Sequence, residues 1–229
     1  MGVREDLLSL YEHMNAHFGD LHWWPADGPF EVMVGAILTQ NTAWSNVEKA
    51  IAALKEQRLL SPRKLSKLDE ETLAEIIRPS GYYRLKARRL KAFVRFFQDE
   101  YGGSVPAMSA DEPTLLREKL LQVPGIGPET ADSILLFACK KPVFVIDAYT
   151  RRILHRHRLI PENANYDQIR SLFMANLSPD VSLFNQFHAM LVQTGKTFCR
   201  KRPQCDPCPL GPLSAERDSV KSGRRRPWR

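Results

Sequence analysis

The chain has 229 residues, enough for one large or two small hydrophobic cores, and its 43% hydrophobic content excludes disorder throughout. A net charge of +7 with a pI near 9.3 points toward a polyanionic partner such as nucleic acid. No run approaches the roughly 18 apolar residues of a membrane span, and three cysteines crowd into Cys199 to Cys208 instead of forming the scattered framework of a disulfide-rich secreted domain.

The first stretch, "MGVREDLLSLYEHM", is charged and amphipathic and lacks the apolar core of a signal peptide, so a cytoplasmic monomer that binds no membrane is expected. Apolar residues recur at three and four spacing, as in Leu7, Leu8, Tyr11 and Met14, or Val47, Ile51 and Leu54. Breaks with Gly, Pro, Asp or Asn turn chemistry fall at "FGDLHWWPADGPF", "RLLSPRK", "RPSGYY", "EYGGSVPAMSADEP", "VPGIGP", "CKKPVFVID" and "LIPENANYD". Between them the periodicity predicts about ten helices of roughly 8 to 16 residues, hence an all-α protein. "PVFVID" is the strongest extended candidate, and Ser109 or Asp111 is expected to cap the helix "PTLLREKLLQV". No period of repeats is present, and "RDSVKSGRRRPWR" reads as a disordered basic tail over 215–229.

In "LLQVPGIGPETADSILLFA", Gly125 and Gly127 permit a tight turn between two helices and present backbone N–H groups at the start of the second. Such groups hold a phosphate without reading sequence. Asp147, at the end of "PVFVID", suits the N-cap of "AYTRRILHRH". "LHWWPADGPF" places Trp23, Trp24 and Pro25 together, and Trp44 follows "TQNTA"; such aromatic faces stack on a planar ligand or anchor packing, and they attract cations.

The apolar-Pro-Gly-Ile-Gly hairpin followed by "PVFVIDAYTRRIL" resembles the helix-hairpin-helix of the endonuclease III superfamily of DNA glycosylases. "GPFEVMVGAILTQNTAWSNV" and "RPSGYYRLKARRLK" are similar to that family's early helices, so the resemblance runs from about Leu21 to Cys208. It implies a two-lobed fold: a six-helix barrel lobe over 30–140, and a second lobe from 1–29 plus 141–214, with double-stranded DNA crossing the mouth between them. Asp147 takes the place of the family's catalytic aspartate. Val123, Gly125, Ile126, Gly127 and Arg151 take DNA-contacting positions, Gln40 the position of a Gln that fills the hole in the duplex, and Arg152 with the "RLKARRLK" helix adds positive field.

Members that also cut the backbone carry a lysine where this chain has Glu129, and a carboxylate cannot form a Schiff base. The resemblance therefore implies a monofunctional glycosylase that uses water. Trp-Trp-Pro, "LTQNT", "RPSGYY" and Glu129 look like the 3-methyladenine glycosylases of the superfamily, so alkylated purines are the expected substrates in a base pocket of Trp23, Trp24, Pro25, Trp44 and Glu129. A glycosylase for mismatched adenine or a deaminated base, or a DNA-binding module without catalysis, are the competing readings.

"TFCRKRPQCDPCPLGPLS" resembles the family's 4Fe-4S loop through Cys199, Cys205 and Cys208, but one spacing is short by a residue and the fourth position falls at Ser214. A 4Fe-4S cluster with an unusual ligand, zinc on three thiolates, and a metal-free loop remain open. Cys139 reads as a small buried hydrophobe and His188 as a core or lobe-interface residue.

Overall fold

The computed structural model describes residues 2–213; the expected tail over 215–229 and Ser214 lie outside the described residues. Contacts gather the chain into two compact units, one from Trp24–Val143 and one from the segments before and after it. Among the described residues the chain is helical, without strands.

Helix α1 (Val3–Phe18) opens the flanking unit, and the chain then enters the central unit. That unit holds α2 (Pro29–Leu38), α3 (Trp44–Glu56), α4 (Pro62–Lys67), α5 (Glu70–Ile76), a 3-10 turn over Arg78–Ser80, α6 (Tyr83–Tyr101), α7 (Val105–Ala110), α8 (Pro113–Leu121) and α9 (Pro128–Ser133). A π-helical turn, Ile134–Ala138, continues α9 and is buried throughout. The seven residues from Val32 to Leu38 in α2 are all buried, and a helix apolar on every side belongs at the centre of a core. Around it close Leu90, Phe93 and Phe97 of α6 and the apolar π turn.

The chain then returns to the flanking unit through Phe144, Val145 and Ile146, which are buried but pair with no strand. The extended candidate is thus a core-filling connector. It leads into α10 (Ala148–Arg156), α11 (Tyr166–Asn176) and α12 (Val181–Thr197). Phe144 stacks on Phe173 at 3.7 Å and meets Phe187 edge-on at 5.6 Å, so the connector's aromatic ring is the centre of this second core.

Three expectations need correction. Helices range from 6 to 19 residues, because several predicted segments are short turns of helix between prolines. Neither Ser109 nor Asp111 caps α8; Glu112 holds the cap position, and the Asp111 carboxylate accepts bonds from Tyr101 Oη at 2.7 Å and Lys119 Nζ at 2.9 Å. The "RLKARRLK" segment, expected as a positive surface, is partly internal. Lys86 is buried and donates to the Leu38 and Ser80 carbonyls at 2.7 and 2.6 Å, while Lys91 donates to those of Leu65, Ser66 and Leu68.

Candidate functional site

The hairpin between α8 and α9 is a tight turn closed by Ile126 N donating to Val123 O at 3.0 Å. Pro124 precedes Gly125, whose φ of +88° supplies the left-handed residue of a type II turn. The Val123 and Ile126 side chains are buried, so they anchor the loop, while Gly125 and Gly127 stay exposed. A Cβ at Gly125 would stand 2.7 Å from Arg89 Cδ, whereas one at Gly127 would meet nothing within 4 Å. The space beside Gly127 is therefore open to a partner at the N-cap of α9. Arg117 of α8 and Asp132 of α9 join the two helices through a 2.7 Å ion pair in which Asp132 is fully buried.

Gln40 faces inward on this hairpin. Its amide donates to Gly125 O at 3.1 Å and Thr130 Oγ1 at 3.0 Å, and the Arg89 guanidinium donates to Gln40 Oε1. Here the side chain expected in the duplex is a brace. Glu129 is exposed at the first turn of α9.

Asp147 belongs to the flanking unit and caps α10, with Oδ1 accepting from Thr150 N at 2.7 Å. That bond occupies one carboxylate oxygen, and Oδ2 takes no hydrogen bond from the described residues. Cap and chemical group are compatible in this geometry. Behind it lies His188 of α12, buried and bonded through Nδ1 to Val145 O at 3.2 Å. Burial pushes the His188 pKa down from its ordinary value; Asp147 opposes that shift and Lys196 adds to it. A neutral imidazole thus supports the strand-like approach to Asp147.

The same cluster holds a residue that the sequence reading missed. Lys196 places its Nζ 5.7 Å from the centre of the Trp23 ring, within cation–π reach, and both residues are in the flanking unit. Gly195 makes this position possible. A Cβ there would press into Tyr149, 2.7 Å from its Cβ, so only glycine lets α12 approach the first turn of α10 so closely. Arg152 seals the approach by donating to Gly195 O at 3.2 Å and lying 5.1 Å over the Tyr149 ring.

Trp24, Pro25 and Trp44 lie in the central unit and share a hollow of about 200 Å³, edged by Glu31 and Glu48. Trp24 and Trp44 meet edge to face at 5.0 Å, and Gly35 lets both close on α2. Glu31 is tied to Lys55 at 2.7 Å, while Glu48 has no ion-pair partner among the described residues. A larger hollow of about 530 Å³ in the flanking unit is lined by Ile160, Pro161 and Leu172 among others, and by none of the predicted site residues.

Arg151 spends its guanidinium on Ala164 O. Arg152 and Arg156 hold the cysteine loop: Arg152 donates to Cys199 O at 2.7 Å, and Arg156 to Cys199 Sγ at 3.2 Å and Arg200 O at 2.6 Å. Cys208 accepts backbone N–H groups of Leu210 and Gly211, although burial pushes its thiol pKa up. The Cys199 and Cys208 sulfurs thus each have hydrogen-bond donors nearby, and Cys205 is exposed. Among the described residues no three His, Cys, Asp or Glu side chains are gathered as ligands of a single ion. Cys139 is buried, as expected.

Comparison with known proteins adds three findings. The family model of the HhH-GPD superfamily base excision DNA repair proteins matches residues 34–179. The chain is 46% identical over 207 residues, 90% of its length and 94% of the relative's, to a candidate DNA repair glycosylase of Methanocaldococcus jannaschii, and 32% identical over 181 residues, 79% of each, to endonuclease III of Thermotoga maritima. Its structure matches that of the H. pylori 3-methyladenine DNA glycosylase bound to 1,N6-ethenoadenine with a TM-score of 0.74 and 29% identity, over 86% of this chain and 98% of that one.

Proposed function

Because the chain belongs to the HhH-GPD superfamily of base excision DNA repair proteins, we propose that it is a monofunctional DNA glycosylase that hydrolyses the N-glycosidic bond of alkylated purines, 3-methyladenine first. Family membership itself makes the chain a DNA-binding glycosylase of base excision repair. The observation that carries the finer reading is Asp147: a half-buried carboxylate with one oxygen fixed by the α10 cap and the other uncommitted. Held rigidly, that oxygen stabilises an oxocarbenium-like sugar and orients the attacking water, and a preorganised charge needs no rearrangement as the transition state forms.

The hairpin supplies backbone N–H groups for a phosphate, with Gly127 leaving room for it. Trp24, Trp44 and the unpaired Glu48 support a preference for bases that carry positive charge, as purines methylated at N3 or N7 do. The H. pylori 3-methyladenine DNA glycosylase bound to 1,N6-ethenoadenine agrees with a modified purine as substrate. Glu129 at the start of α9 supports hydrolysis without strand cleavage, since no amine stands there. Where a 4Fe-4S cluster is bound, Cys199, Cys205 and Cys208 would hold it and it would stiffen the loop; no step of hydrolysis passes through it.

The test is a base-release panel over methylated, oxidised and deaminated duplexes. The expected result is fastest release of 3-methyladenine by the parent protein and loss of that release by at least about a hundredfold in Asp147→Asn. Equal rates for parent and variant would remove Asp147 from the chemistry, and faster release of mismatched adenine or a deaminated base would replace the substrate. Borohydride is expected to trap no protein on abasic DNA, and robust trapping would show an amine nucleophile.

A further inference from the structure

Trp23 and Lys196 come from opposite ends of the chain, yet the ammonium sits 5.7 Å from the indole centre in the unit that carries Asp147. Both Asp147 and Lys196 lie close enough to His188 for their charges to act on it, in opposite senses. Glycine at position 195 draws the end of α12 onto Tyr149, two residues beyond Asp147, and Arg152 fastens the contact. Lys196 itself is exposed, and its ammonium lies over the ring that the family resemblance assigns to the base pocket. This is a built arrangement of a carboxylate, an ammonium and an aromatic face within one unit.

The two charges suit opposite ends of the bond being broken. When the C1′–N bond breaks, its electron pair goes to the base; water oxygen then bonds to C1′ and gives its proton to Asp147 or solvent. A methylated purine cation becomes neutral on accepting that pair and needs no help. A neutral base leaves as an anion, and a cation or hydrogen-bond donor at its edge lowers the barrier.

We propose that Lys196 is a specificity-determining catalytic residue that donates a hydrogen bond to the departing base and extends activity to uncharged lesions, such as deaminated or ring-extended purines. The departed anion then takes its proton from solvent, and Lys196 ends the cycle as the ammonium it began as. This rests on the glycosylase reading above and on Trp23 facing the extruded base.

Single-turnover release from duplexes carrying hypoxanthine or 7-methylguanine tests it, with Lys196→Met and Lys196→Arg beside the parent. In Lys196→Met the ratio of hypoxanthine to 7-methylguanine release is expected to fall about tenfold or more, and Lys196→Arg, which keeps the charge, to restore most of it. The ratio cancels losses of folding or DNA affinity that affect both substrates alike. Equal losses on both substrates, or a parent that releases 7-methylguanine and no uncharged base, would overturn the role of Lys196 while leaving the glycosylase reading intact. A parent that releases neither base yet releases 3-methyladenine would overturn the role of Lys196 alone, and one that releases no damaged base at all would overturn the glycosylase reading, and this role with it.

Discussion

One oxygen of Asp147 belongs to helix α10 and the other does not, so substitution can separate the residue's two roles. Asparagine caps a helix about as well as aspartate, and Asp147→Asn should change stability by no more than about 0.5 kcal/mol, whereas Asp147→Ala should lose about 1 kcal/mol. Both should lack base release; thermal melts run beside the release assay check this, and a large stability loss in Asp147→Asn would mean that the carboxylate's charge is structural. Gly125 gives a second contrast. Its positive φ and its contact with Arg89 predict a loss of roughly 1–3 kcal/mol for Gly125→Ala. Gly127→Ala meets no atom and should cost less than about 1 kcal/mol, yet it should weaken duplex binding, because the methyl group fills the space beside the α9 N-cap. Denaturation and DNA titration of the pair test this.

Helix α6 shows how an element can carry charge without presenting it. Lys86 stands four residues before Leu90 and seven before Phe93, on the stripe that faces the core, so its ammonium is buried where α2 ends and serves the Leu38 carbonyl. Burial, with Arg89 nearby, lowers its pKa to about 8. The unfolded chain holds that proton up to a pH near 10.5, so between these values the unfolded state binds more protons and the folded state gains as pH rises. The parent should therefore gain stability over Lys86→Met by about 1 kcal/mol per pH unit from pH 8 to 10, and an unchanged difference in urea melts across that range would contradict it. The sequence reading took the "RLKARRLK" helix for its positive field, whereas Lys86 shares the buried stripe of Leu90 and Phe93. The conflict resolves only when carbonyls from two other segments, at Leu38 and Ser80, are seen to receive the ammonium. The missed α8 cap has the same kind of cause, since Asp111 is held by Tyr101 and Lys119 rather than by its own helix.

At the scale of the whole molecule, the net charge of +7 is a weaker guide to the DNA-binding surface than it looked, because arginines 89, 151, 152 and 156 are bonded to the protein's own carbonyls and side chains. Binding to duplex DNA should still weaken with salt, but through fewer phosphate contacts than the count of basic residues suggests. The amino-acid sequence by itself determined the helical fold, the Pro-Gly hairpin and the capping of α10 by Asp147, because periodicity, turn chemistry and capping act over a few neighbouring residues. Glu129 was equally legible, as an absent amine at a fixed spacing. Tertiary structure decided the rest. Trp23, expected to share a pocket with Trp24, lies with Lys196 and Asp147 in a different unit, while Trp24 and Trp44 close on α2. The approach of Lys196 to Trp23 joins opposite ends of the chain, and α12 meets α10 where Gly195 admits Tyr149, contacts that no local pattern encodes.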